Sequence, residues 1–89
     1  MTDPTTKEIT EYEIQSALGR LEQSIKRRIQ KHGTAPHHSS HESLGICQEE
    51  FYEVMKCVHE NQDPIVTAKE FRDLAVAALW AYLSLEVKR

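Results

Sequence analysis

The chain has 89 residues, enough for one domain with a modest core and too few for two. Apolar residues make up 39% and charged residues 28%, which is a globular rather than a disordered composition. The net charge of -3, with basic residues scattered apart from Lys26, Arg27 and Arg28, excludes an extended phosphate-backbone surface, so no nucleic-acid partner is expected. The opening MTDPTTKE has no apolar run and reads as no secretory leader. The uncharged stretch between Asp73 and Glu86 falls short of the roughly 20 residues that cross a bilayer, so no membrane partner is expected either. Cys47 and Cys57, on one helix, would stand about 15 Å apart along its axis, beyond the roughly 7 Å reach of a disulfide. Free thiols in a reducing, cytoplasmic setting are the expectation.

Taken in order, the periodicity predicts three helices and no strand. The first opens at Thr5 with a capping box to Glu8. It carries the stripe Ile14, Leu18, Leu21 and Ile25, and it ends near His32 with Gly33 as the left-handed residue beyond the last turn. A loop at 33–39 contains Pro36. The second helix starts at Ser39 or Ser40, with a capping box from Ser39 to Glu42, and runs to about Glu60. Its stripe is Leu44, Cys47, Phe51, Val54 or Met55, and Val58. The turn NQDP precedes the third helix, where Pro64 suits the first turn. Phe71, Leu74, Ala75, Ala78, Leu79, Tyr82 and Leu83 follow along that helix.

From Leu74 to Leu85 the third helix is apolar or small almost all the way round, and such a helix must be enclosed. Two companion helices do not surround it, so its remaining face is expected to be buried in a homo-oligomer. The predicted fold is therefore all-α: one domain over 1–89, with 1–6 frayed. It has three main helices, the second and third forming an antiparallel hairpin, assembled into a dimeric or tetrameric bundle.

Two acidic pairs, Glu50/Glu53 and Glu70/Asp73, each have i, i+3 spacing and so share a helix face. They are mirror images about a point between Asn61 and Gln62, where the turn falls. A hairpin would set Glu53 level with Glu70 and Glu50 level with Asp73, across the usual 8–10 Å between helix axes. Two unit charges about 5 Å apart repel by roughly 3 kcal/mol at an effective dielectric near 20. A divalent cation reverses that sign, and an all-oxygen Glu/Asp set favours magnesium or manganese over zinc.

EEFYEV followed by EFRD resembles the EExxE…ExxD signature of the MazG-like all-α nucleoside triphosphate pyrophosphohydrolases, over Leu44 to about Leu83. The resemblance implies a dimeric or tetrameric helical subunit with Mg2+ (or Mn2+) held by Glu50, Glu53, Glu70 and Asp73. It implies hydrolysis of a (deoxy)nucleoside triphosphate to the monophosphate and pyrophosphate. Glu49 would be an accessory ligand or orient water, and with Glu50 would form the catalytic pair. Lys56, Lys69 and Arg72 are the nearby phosphate-binding candidates. The chain departs from the family where Phe71 and Arg72 replace the usual Gly or Ala between the second pair of acids, and where three helices stand in place of four. The related phosphoribosyl-ATP pyrophosphatases fit less well, because AVAALW and SLGIC stand where a Tyr-His pair and a Lys-rich lead are usual.

Structural alternatives accompany these assignments. Glu49, Glu50 and Glu53 could form a solvated face, and Glu70 could close a capping box with Thr67. His32, His37, His38 and His41 match no zinc spacing and read as solvated loop residues, with His41 placed to approach a phosphate. Trp80 and Tyr82 read as core or interface residues. The alternative function is a non-catalytic helical oligomerisation or interaction module with a degenerate site of this kind.

Overall fold

A computed structural model describes residues 7–88. It contains α1 (Glu11–His32), α2 (Ser40–His59) and α3 (Pro64–Glu86), with no strand among the described residues. Thr5 and the rest of 1–6 lie outside them. The helix does not open there, however, because Lys7 to Thr10 are not helical. Thr10 is the true cap of α1: its hydroxyl accepts from the Glu13 N–H at 3.2 Å, and Glu13 Oε1 accepts from the Thr10 N–H at 3.1 Å. The Thr-x-x-Glu pattern thus occurs twice in this segment, and the copy directly ahead of the apolar stripe forms the cap.

The other boundaries fall where the sequence predicts, although Gly33 takes an extended positive-φ conformation rather than the left-handed helical one expected. Gly33 follows α1 at φ 77, ψ -167 and its N–H donates to the Ile29 carbonyl at 2.7 Å. That backbone region is open to glycine almost alone. Gly33→Ala is expected to lower stability by about 1–3 kcal/mol in chemical denaturation. Nothing lies within 4 Å of the added Cβ, so the loss is one of backbone conformation and not of a clash. Ser39 Oγ caps α2 by accepting from the Glu42 N–H at 3.1 Å, while Glu42 Oε2 accepts from the His38 N–H rather than from Ser39. At the far end of α2, Asn61 takes φ 52, with Gln62 N–H donating to the Cys57 carbonyl and Asn61 N–H to the Val58 carbonyl. This is a Schellman termination with asparagine at the left-handed position. Asp63 Oδ1 then accepts from the Ile65 N–H at 2.8 Å and Pro64 begins α3. The short turn closes the α2–α3 hairpin and fixes its register.

Packing departs from the predicted stripes. The residues of α2 turned away from water are Ser43, Ile46, Cys47, Glu50, Val54 and Cys57, whereas Leu44, Phe51, Met55 and Val58 stay exposed on another face. On α3 the seam includes Glu70, Asp73, Leu74, Ala77, Trp80, Ala81 and Ser84, and Phe71, Ala75, Ala78 and Tyr82 face water. Trp80 is buried as expected, while Tyr82, expected in the core or an interface, is 58% exposed. The helices meet through a mixed seam, in which Ile46, Val54, Leu74 and Trp80 alternate with small and polar side chains, while several other large apolar residues stay outside it. Only Val54, Ala77 and Trp80 are buried apolar residues among those described.

α1 has no buried residue and rests on α3 alone. The loop between α1 and α2 is fastened to the end of α3. Trp80 Nε1 donates to the Ala35 carbonyl at 3.2 Å, the His37 N–H to Ser84 Oγ at 2.9 Å, and Lys88 Nζ to the His37 carbonyl. His37 is only 4% exposed, which corrects its reading as a solvated loop residue. The radius of gyration is 15.2 Å, against about 12 Å for a compact chain of this length.

Candidate metal centre and its groove

The hairpin brings one acid from α2 and two from α3 into a single cluster. Glu50, Glu70 and Asp73 each offer a carboxylate oxygen, and the three atoms lie within 4.8 Å of one another. Ligand oxygens around octahedral magnesium at about 2.1 Å stand roughly 3.0 Å apart when adjacent and 4.2 Å apart when opposite. Holding such an ion would close a pair at the 4.8 Å limit by about 0.6 Å if opposite and by about 1.8 Å if adjacent. All three residues are half-buried in the seam.

Burial raises the Glu50 carboxyl above its ordinary value, and the charges of Asp73, Glu70, Glu53 and Glu49 add to that rise. Lys69 supplies the nearest positive charge: its Nζ lies 3.0 Å from Asp73 Oδ2 and 3.8 Å from Glu70 Oε1. The Asp73 hydrogen bond and the two acidic charges push the Lys69 ammonium above its ordinary range. This exposed i, i+4 partner sits at the rim of the cluster and neutralises part of it.

The remaining predicted residues fall at different distances from this centre. Glu53 is exposed and contributes no oxygen to the trio, although its charge reaches Glu50. Glu49 is exposed and lines the adjoining groove. Lys56 is exposed and lines neither that groove nor the cluster. Lys69 is engaged with the acids, so it stands by them rather than apart as a phosphate clamp. Arg72 is half-buried and lines the groove, with a buried Nε that has no partner. His41 is exposed and outside the groove lining.

That groove, about 890 Å³, runs between α1 and the hairpin from Glu49, Glu50 and Asp73 to Arg28 and Trp80. Val76 and Ala77 lie between those two ends. The Arg28 guanidinium stacks on Trp80 at 3.9 Å from the ring centroid, a favourable cation–π arrangement. Arg28 and His37 were missed as candidates. Arg28 had a signal, because the α1 stripe Ile14, Leu18, Leu21, Ile25 continues by three residues to Arg28. A cation at a core-facing position needs a partner. His37 had none, since only the tertiary fastening of its loop buries it.

Cys47 and Cys57 are both free thiols on α2. No helix among the described residues is long and apolar enough to cross a membrane. Comparison with family models, with curated proteins and with solved structures returns no match.

Proposed function

We propose that this chain is a magnesium- or manganese-dependent nucleotide pyrophosphohydrolase that cleaves a (deoxy)nucleoside triphosphate to monophosphate and pyrophosphate. The observation that supports it is the convergence of Glu50, Glu70 and Asp73 from two helices onto a space of cation size, beside a groove with basic groups at its other end. A divalent ion bound there would polarise phosphoryl oxygens and acidify water. Glu50 is one of the three ligands, and its raised carboxyl belongs to the metal-free chain, where a proton rather than a cation relieves the repulsion. Glu49 stands at the groove to orient water, Glu53 serves as an outer acid, and Arg72 is the favoured phosphate contact of the three basic candidates. The test is pyrophosphate release from a panel of nucleoside triphosphates with magnesium and with EDTA. Release from no nucleotide in either condition sinks the reading.

The exposed apolar faces support homo-oligomerisation as part of the same reading. Leu44, Phe51, Met55 and Val58 on α2 and Phe71, Ala75, Ala78 and Tyr82 on α3 form two stripes that the single chain leaves in water. Sedimentation equilibrium is expected to give a dimer or tetramer, and Phe71→Asp to shift it to monomer. A monomeric parent chain at the same concentration removes the oligomer.

The alternative is a non-catalytic helical interaction module. The Lys69 ion pairs favour it, because an ammonium already neutralises part of the cluster. It predicts the oligomer without turnover and without a metal-dependent change in stability.

A further inference from the structure

Three side-chain N or O atoms are buried without a partner among the described residues: Arg28 Nη1, His37 Nε2 and Arg72 Nε. All three are nitrogens, and all three belong to residues lining the groove between α1 and the hairpin. Unsatisfied buried polar atoms are rare and call for an explanation. Arg28 Nη1 and Arg72 Nε are donors that lack a hydrogen-bond acceptor, and His37 Nε2 joins them in the tautomer whose Nδ1 accepts from Ser43 Oγ. The charge points the same way, since neither Arg28 nor Arg72 has a carboxylate partner among the described residues.

We propose that Arg28, Arg72 and His37 form a preformed oxyanion site for a polyphosphate chain. The site is built rather than incidental. His37 is 4% exposed, with its backbone N–H on Ser84 and its Nδ1 2.7 Å from Ser43 Oγ, so Nε2 is the ring atom left over. The Arg28 guanidinium carbon lies 3.9 Å from the centroid of the Trp80 ring, a contact that keeps the cation at this end of the groove. Such planar donors recognise phosphoryl oxygens in pairs. Burial pushes the Arg28 guanidinium below its ordinary range, as befits a cation short of counter-charge.

Position selects a chain of phosphates over a lone carboxylate. Asp73 and Trp80 are seven residues apart on α3, about 10 Å along the axis. Arg72 stands beside the acidic cluster and Arg28 at the Trp80 end, with the small Ala77 between. Donors spread over that length suit several phosphoryl groups in series. The site deepens the hydrolase reading, on which the nucleotide nature of the ligand rests, while anion capture itself is a property of the groove.

The test is calorimetric titration of the full chain with inorganic tripolyphosphate in EDTA. The parent chain is expected to bind it, and Arg28→Gln to weaken binding about tenfold or more. Lys26→Gln removes the same charge from the other side of α1, where Lys26 pairs with Glu22, and is expected to stay within about twofold because exposed pairs contribute little. Should Arg28→Gln fail to fold, Arg72→Gln is expected to show the same weakening. Absence of tripolyphosphate binding, equal affinity in the arginine variants, or Arg28-dependent binding of an uncharged nucleoside instead would each overturn the site. Tripolyphosphate binding without nucleotide hydrolysis removes the hydrolase and keeps the anion site. Hydrolysis unaffected by Arg28→Gln does the reverse.

Discussion

Glu70→Gln is expected to cut magnesium-dependent pyrophosphate release by at least about 100-fold, the upper end of what groups one shell out from a metal contribute. Glu70 is one of the three carboxylates whose oxygens converge within 4.8 Å among the described residues. An amide keeps its size but not its charge, so the fit to a divalent cation is lost without a packing defect. Glu53→Gln is expected to lose less, under about tenfold, because Glu53 is exposed and outside that trio and an exposed charge acts weakly through solvent. Steady-state pyrophosphate release at saturating magnesium checks both. Undiminished turnover in Glu70→Gln removes the trio from the chemistry. Equal losses in the two variants promote Glu53 to a direct ligand.

The register that makes Glu70 central was readable before any coordinates. The mirror relation of 50 with 73 and 53 with 70 about the NQDP turn places acids opposite acids in any hairpin closed there. The Schellman turn at Asn61 closes it there. What the spacing did not reveal is rotation about each helix axis. Period 3.6 says which residues share a face and not which face meets the neighbour. On α2 the apolar face Leu44, Phe51, Met55, Val58 turned out to be exposed, and the mixed face with Ser43, Glu50 and Val54 is the seam. That rotation draws Glu50 inward and leaves Glu53 outside. It also explains how the helices tolerate acids at their contact: the seam is mixed, with small and polar groups beside Val54, Leu74 and Trp80, and Leu44, Phe51, Met55 and Val58 lie outside it.

The groove was less legible for a different reason. Arg28 and Trp80 lie on different helices, and His37 reaches the groove because Ser84, Trp80 and Lys88 of the α3 end tie its loop down. Each of these is a tertiary contact across some fifty positions, a range over which no local pattern carries information. The helix caps show the converse. Ser39 and Asp63 cap by contacts within three residues; the place of the Ser39 cap and of the NQDP turn ahead of Pro64 follows from the sequence. The Thr10 cap is equally local, but a competing copy of the same pattern lay five residues upstream.

Magnesium is expected to stabilise the protein most where the acidic seam is ionised. Glu50 has its carboxyl raised above the ordinary value of 4.5 by burial first and then by Asp73, Glu70, Glu53 and Glu49. The folded chain therefore holds that proton more tightly than the unfolded chain. Its contribution to stability is lost as pH climbs from about 4.5 to the raised folded value, and the penalty stays in place above it. Lys69 offsets part of this repulsion from the rim, and it remains charged throughout that range. In EDTA the parent chain should lose thermal stability relative to Glu50→Gln as pH rises from mildly acid to neutral, since the amide carries no such penalty. Magnesium at 100 times its Kd adds about 2.7 kcal/mol. For a domain of this size, that is a rise in melting temperature of about 10–20 °C. The rise should be large near neutral pH, small near pH 4.5 where protons compete for the same oxygens, and small at any pH in Glu50→Gln. Thermal melts of the two chains across pH, with and without the ion, check all three. Superimposable melts for parent and variant at neutral pH would mean that the acids repel too weakly to need a cation between them.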